Sequence, residues 1–344
     1  MSDYKSRVLE KFFQNSLSSQ SPSKETYNRN YLNSSAYYKN LEKELLERYE
    51  GYDFSDFKGV KEINTDYGNS LEITNKYDIN FKLKRNNIDN QLINNLKLVS
   101  GIGPVKEEKL KNKGINNLKD LRKIDKYEKE ADKILKTIND GEFKELYSYL
   151  ENNGKFKDSN PMMCAAYTDI ENYKFMDIET LGLSNVPIIL IGIASIKNNK
   201  ITVKQYLQRD GLEEAAIISG YLSNLDDDSI HVSYNGKSFD IPYIKNRANY
   251  FGIKYNKHIN YDLLYYTRQM YKDILENCKL PTVESYICGF ERFNDVPGQY
   301  IPGYYKDYVS TKNIGPLIPI VRHNRLDVKS LADFFMRIYN DINF

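Results

Sequence analysis

At 344 residues the chain exceeds the usual size of one domain, so a large domain with a smaller accessory region is expected. Its 40% hydrophobic and 28% charged residues are those of a soluble globular protein. With 49 Lys and Arg against 47 Asp and Glu, there is no global field to draw the protein onto nucleic acid, and any such contact must come from local patches.

No apolar run approaches the roughly 20 residues of a membrane helix, and the polar N-terminus lacks the apolar core of a signal peptide, so no membrane partner is expected. The three cysteines, Cys164, Cys278 and Cys288, are odd in number and lack close metal-site spacing. A reducing, cytoplasmic setting is the expectation. Thirty Tyr and no Trp accompany abundant Lys, Asn and Ile, a drift expected of an AT-rich genome and not read as function.

Residues 1–90 form an N-terminal region of unassigned role, partly flexible. Its first 34 or so residues are a polar arm. Leu41, Leu45 and Leu46 predict a short amphipathic helix over 37–49, and alternation predicts strands over 71–74 and 79–83. A helical region follows, interrupted by Gly101-Ile-Gly103-Pro104, Gly114 and Gly141. Two glycines permit a tight turn, and Pro104 suits the first turn of the next helix. The stretch from Val99 to Leu110 resembles a helix-hairpin-helix, placed with its connecting helix at 91–155. The resemblance implies DNA binding through Gly101 and Gly103, whose turn frees helix-start N–H groups for a phosphate, with Lys106 and Lys109 adding charge. A packing or partner-docking module is the other reading. The polar stretch 152–161 ends in Pro and reads as a linker.

Beyond it, strands are predicted over 173–178, 187–196, 201–207 and 230–234, and helices over 212–225, 241–251, 262–275 and 314–339. Three strands with short connections followed by alternation make a mixed α/β sheet flanked by helices over 162–344. Asp177 and Glu179 are two apart on a strand and share a face, where mutual repulsion calls for a cation. Hard Mg²⁺ or Mn²⁺ suits their oxygens better than zinc. In isolation, a pair of surface acids accounts for them equally well. Asp240 follows an Asn235-Gly236 turn, where it stands as a metal ligand or as a helix-start acid. His323 and Asp327, four apart on the last helix, lie near one face. His231 reads as a packed core histidine, His258 as a loop residue and Asp262 as a helix cap, while Arg292, Arg322 and Lys237 are phosphate-contact candidates or solvated charges.

The order D-x-E, then Asn235 to Asp240, then His323 to Asp327 resembles the DnaQ-like 3′ to 5′ exonuclease superfamily, of ribonuclease H-like fold. The segments 175–183, 233–240, 261–264, 295–298 and 323–328 look like the YprB-type ribonuclease H-like proteins. The resemblance implies that Asp177, Glu179, Asp240 and Asp327 hold two ions, that His323 orients or deprotonates the attacking water, and that Thr180, Gly182, Leu183, Asn235 and Phe239 meet the terminal nucleotide. In the wider superfamily the last motif places Tyr four residues, or His five, before Asp; here His stands at four. The implied activity is metal-dependent 3′ to 5′ exonuclease action on single-stranded nucleic acid, DNA favoured over RNA. A structure-specific or RNA endonuclease and a non-catalytic nucleic-acid-binding scaffold are the alternatives. The sequence assigns no oligomeric state.

Overall fold

The computed structural model describes residues 24–79, 81, 88–152, 161–292 and 295–342. The expected polar arm up to residue 23, most of the linker and residues 80, 82 and 83 of the expected second strand lie outside the described residues. Two compact units form: residues 1–80 with 173–335, and 81–172 with 336–344.

The first unit is built on a seven-stranded sheet of order β1-β2-β5-β4-β3-β6-β7. The strands are β1 Val60–Thr65, β2 Gly68–Asp78, β3 Tyr173–Thr180, β4 Ile188–Lys197, β5 Lys200–Leu207, β6 Ile230–Ser233 and β7 Ile259–Asp262. β6 runs parallel to β3 and β7 parallel to β6, while the other pairs are antiparallel, so the sheet is mixed as expected. β4 reads Ile-Ile-Leu-Ile-Gly-Ile-Ala-Ser-Ile and is buried nearly throughout, because helices cover both its faces and leave no side for polar alternation.

The helices of this unit are α1 Lys24–Arg48, then, after five helices of the second unit, α7 Glu214–Leu222, α8 Asp240–Tyr250, α9 Leu263–Met270, α10 Leu280–Val283, α11 Ile301–Thr311 and α12, which starts at Leu317 and runs to Ile342. On one face of the sheet, Met176, Ile178, Ile191, Ile193 and Tyr206 pack with Ile217 and Tyr221 of α7 and Ile244 of α8. On the other, Leu71, Ile73, Ile189 and Leu207 pack with Tyr304, Tyr305 and Tyr308 of α11, with Leu317 and Ile320 of α12, and with Leu41 and Leu45 of α1. A side chain at Gly220 would meet the Tyr206 ring at 2.7 Å, so this glycine allows α7 to lie close on the sheet.

The expected strand over 71–74 is the buried centre of a hairpin running from Val60 to Asp78, and β1 itself has no apolar alternation to announce it. Ile79 and Phe81 are not in strand. The helix expected over 37–49 starts earlier, at Lys24, and α11 had no counterpart in the sequence reading: its Tyr-rich, Gly-containing segment blurs the helical period.

The second unit holds α2 Ile88–Ile93, α3 Pro104–Lys111, α4 Leu118–Leu121, α5 Glu128–Asp140 and α6 Phe143–Asn152 around Leu92, Leu98, Leu121, Ile134, Ile138 and Leu146. Gly101 takes the left-handed conformation (φ 73°) that the predicted turn requires, and α3 starts at Pro104. Glu130 accepts hydrogen bonds from Ser100 N–H (3.0 Å) and from the Tyr149 hydroxyl, tying the turn to α5 and α6. Among the described residues, no helix is long and apolar enough to cross a membrane.

Candidate active site

The site begins with the two-residue period of β3. Tyr173 and Phe175 lie against Phe335 of α12, with ring centroids 4.8 and 5.7 Å apart. The next side chains on that face are Asp177 and Glu179, so one strand face passes from aromatic to acidic along its length. α12 follows the same division, with Phe335 toward one end and His323, Asn324 and Asp327 toward the other.

Close approach of α12 depends on Gly192, the β4 residue registered with Asp177. A Cβ there would fall 2.2 Å from Asn324 Oδ1 and 2.8 Å from Val328 Cγ2. Asn324 is fully buried; its Nδ2 donates to Asp177 Oδ2 (2.9 Å) and to the Asp177 carbonyl (3.1 Å), and its Oδ1 accepts from Gln205 Nε2 (2.9 Å). Gln205 Nε2 also donates to the Val321 carbonyl at 2.8 Å, completing a chain from β5 through the helix to the β3 acid. Sequence reasoning missed this chain. Its one visible signal was a polar residue sitting beside His323 on an otherwise apolar helix face.

Asp240 arrives from the other edge of β3. The β3–β6 ladder ends at Phe175 and Val232, and past that point Ile178 N–H donates to Asp240 Oδ1 at 3.1 Å. The turn that delivers Asp240 has Asn235 at φ 65°, and a Cβ at Gly236 would lie 2.4 Å from Ser233 Oγ, so the Asn-Gly dipeptide is required by both conformation and space. Asp262 accepts from Asn235 N–H (2.8 Å), Lys237 N–H (3.1 Å) and Leu264 N–H (3.1 Å). It therefore caps α9, as expected, and fixes the turn besides.

Ligand atoms of Glu179, His323 and Asp327 lie within 4.8 Å of one another. Glu179, Asp240 and Asp327 are 8%, 5% and 8% exposed. His323 Nε2 is 3.3 Å from Asp327 Oδ2, and its Nδ1 is 2.9 Å from Asp295 Oδ2. Arg292 does not face solvent as a phosphate contact would: its Nε and Nη2 donate to Glu284 (both 2.6 Å), Nη1 donates to Asp295 (2.9 Å), and Nη2 also donates to Asp327. The guanidinium fork joins the nearby Asp295 and Glu284 to Asp327 on a distant helix, and that long-range contact is why its role was not readable in the sequence.

Burial is the first cause of the raised pKa values here. It pushes the Asp177 carboxyl well above its usual range, helped by Asp327, Glu179 and Asp240. Glu179 is pushed up to about 8 by burial and Asp327, against the opposing pull of His323, and Asp240 to about 7 by burial, against two backbone hydrogen bonds. Burial would lower the His323 imidazolium, but Asp327, Asp295 and Glu179 outweigh it and raise its pKa to about 9. His323 thus holds a proton at neutral pH in the absence of a cation.

Crowded carboxylates that resist ionisation together are a fitting donor set for a hard divalent cation, and Asp177, Glu179, Asp240 and Asp327 are the residues that would hold it. Without metal, the folded protein holds more protons at Asp177, Glu179 and Asp240 than the unfolded chain does, so these three acids contribute most stability below about pH 4 and lose it as pH rises toward 8. Melting in EDTA should therefore fall from pH 5.5 to pH 8, and Mg²⁺ or Mn²⁺ should raise it more at pH 8 than at pH 5.5. A metal-induced shift that is larger at pH 5.5 would contradict this picture.

Of the residues expected at the terminal nucleotide, Leu183 (86% exposed) and Phe239 line one cavity of about 190 Å³ with Tyr243 and Arg247. Thr180 Oγ1 donates to the Gly182 carbonyl at 2.7 Å and shapes the loop before Leu183. Asn235 lines a separate cavity of about 460 Å³ with Arg268 and Lys279. His231 is buried, 3.0 Å from the Tyr221 hydroxyl, with its pKa pushed down to about 3 by burial, as a core histidine should be. His258 is a loop residue whose Nδ1 is 3.2 Å from the Ser229 carbonyl. Arg322 lines a cavity of its own, away from the acids. Gly101, Gly103, Lys106 and Lys109 belong to the second unit, where Lys106 Nζ donates to the Gly101 carbonyl at 3.1 Å.

Residues 174–339 match the RNase_H superfamily, and this part of the chain is a ribonuclease H-like domain. Over 177 residues the chain is 32% identical to the uncharacterized protein YprB of Bacillus subtilis (strain 168), a match covering 50% of this chain and 43% of that protein. The matched region spans less than half of that relative's length.

Proposed function

We propose that this ribonuclease H-like chain is a metal-dependent nuclease that removes nucleotides from the 3′ end of single-stranded nucleic acid, DNA in preference to RNA. The superfamily match points to a phosphodiester hydrolase. The observation that carries the reading is the convergence of Asp177 and Glu179 from β3, Asp240 from the start of α8 and Asp327 from α12 at one buried centre.

Two Mg²⁺ or Mn²⁺ ions held by these acids would activate water near neutral pH and stabilise charge on the departing 3′ oxygen. The chain's own residues do the rest. Asn324 and Ile178 N–H fix the Asp177 and Asp240 carboxylates in place. Asp295 holds His323 by Nδ1, leaving Nε2 directed toward Asp327 and suited to orienting the attacking water. Leu183 and Phe239 offer apolar surface for the terminal base, and Arg268 and Lys279 offer charge to the phosphates beside Asn235. The Gly101–Pro104 hairpin, with Lys106 and Lys109, is read as a sequence-independent DNA contact that weakens with salt.

The test is incubation with 3′- and 5′-labelled single-stranded DNA and RNA in Mg²⁺, Mn²⁺ or EDTA. Stepwise mononucleotide release from the 3′ end, abolished by EDTA, is expected. Internal cuts as first products would establish an endonuclease, and activity in EDTA would remove the metals from the mechanism.

A further inference from the structure

The cavity lined by Arg322 lies in the sheet-bearing unit, where β1, β2, α12 and the 3-10 turn at Phe54–Asp56 meet, and has about 240 Å³ of space. Its walls include Tyr49, Phe54 and Phe57, with the Tyr49 and Phe57 rings 5.9 Å apart at 40°. Lys58, Arg322 and Arg325 also line it, and among the described residues no carboxylate does. Asn75 completes the lining: its Oδ1 accepts from Arg325 Nη1 at 3.4 Å, while its buried Nδ2 has no acceptor.

We propose that this cavity binds a nucleoside monophosphate, at a site separate from the acidic centre. The separation follows from the helix. His323 and Asp327 are four apart and share one face of α12, whereas Ile318, Val321, Arg322 and Arg325 line the cavity from the opposite face. The ligand class follows from the lining. Aromatic and aliphatic walls suit a planar base, and three cations suit a phosphate monoester of charge about −1.5 to −2 better than a single carboxylate. Arginine's fork matches phosphate oxygens. A peptide would bring several backbone groups for which the apolar walls have no partners. The volume lies just below the range of about 300–1,000 Å³ typical of ligand clefts, enough for the base with the phosphate at the cationic lining. The inference does not depend on the nuclease reading.

Calorimetric titration of the full chain in EDTA with AMP, GMP, CMP and UMP tests it, alongside Asp177→Asn, Lys58→Ala and Arg325→Ala proteins whose folding is checked by melting. Saturable one-site binding of at least one nucleotide, unchanged in Asp177→Asn, is expected. Because charge-assisted hydrogen bonds to phosphate are lost, Arg325→Ala should weaken it by about tenfold or more, as should omission of the phosphate by using the nucleoside. Lys58 is exposed, so its substitution leaves the fold intact and should lower affinity severalfold. The proposal is overturned if none of the four nucleotides binds at millimolar concentration, if ribose 5-phosphate binds as well as the nucleotides, or if Asp177→Asn abolishes binding while Arg325→Ala and Lys58→Ala leave it untouched.

Discussion

Asp177→Asn should lose nearly all phosphodiester hydrolysis and yet melt at a higher temperature than the parent chain in EDTA at pH 8. Both effects have one source. Asp177 is held by Asn324 among Glu179, Asp240 and Asp327, and burial together with these neighbours pushes its pKa well up. Forcing it to ionise without a cation costs folding energy, and asparagine removes that cost while keeping the shape. In the proposed metal centre, the same substitution would delete one of the ligands. Transition-state stabilisation by bound metal is worth several kcal/mol, so the loss of rate should be on the order of 10³-fold or more. Initial rates in Mg²⁺ with melting curves in EDTA and in Mg²⁺ check both halves. A variant that keeps a tenth of the activity would remove Asp177 from the metal centre. One that melts lower in EDTA would show that the acid serves the fold.

The second large effect concerns Arg292, and it runs the other way. Its side chain is 6% exposed and forks across Glu284, Asp295 and Asp327, whose side chains are 1%, 13% and 12% exposed. Removing one partner of a buried ionic cluster leaves charge without compensation and costs about 3–5 kcal/mol. For a chain of 344 residues Arg292→Ala should lower the melting temperature by roughly 4–7 °C. Arg292→Lys should recover only part of this, since a single ammonium cannot reach three carboxylates with fixed geometry. Differential scanning calorimetry of the three proteins decides it, and a loss below about 1 kcal/mol for the alanine variant would show that the network contributes little.

The legible parts of this site were those whose spacing maps onto a local period. Asp177 and Glu179 are two apart on a strand, His323 and Asp327 four apart on a helix, and Asn235-Gly236 announces its own turn. Strands β3 to β6 and the last helix were readable for the same reason, because their apolar residues repeat at strand or helix period. What escaped was set by contacts between distant segments. Gly192 looks like a weak point in an apolar strand until α12 is laid across it. Arg292 looks like a surface cation until Glu284 and Asp327 come to it from either side in the sequence. Gln205 and Asn324 gain meaning only as a pair. β1 was invisible because none of its six residues is fully buried, so no apolar alternation was selected there.

The pairing of β2 with β5 bears on how the ribonuclease H-like part can be isolated. Eight residues of β5, Lys200 to Leu207, are matched one for one with Asp78 to Leu71. A shortened chain beginning at residue 162 would expose that row of N–H and C=O groups along a strand with Ile201, Val203, Tyr206 and Leu207 buried in the full chain. Such an edge is a template for pairing with another molecule, and natural sheets avoid presenting one. The hairpin from Val60 to Asp78 is thus the guard of the sheet's margin, and its outer strand carries Lys61 and Glu62, charges that discourage any further strand from adding.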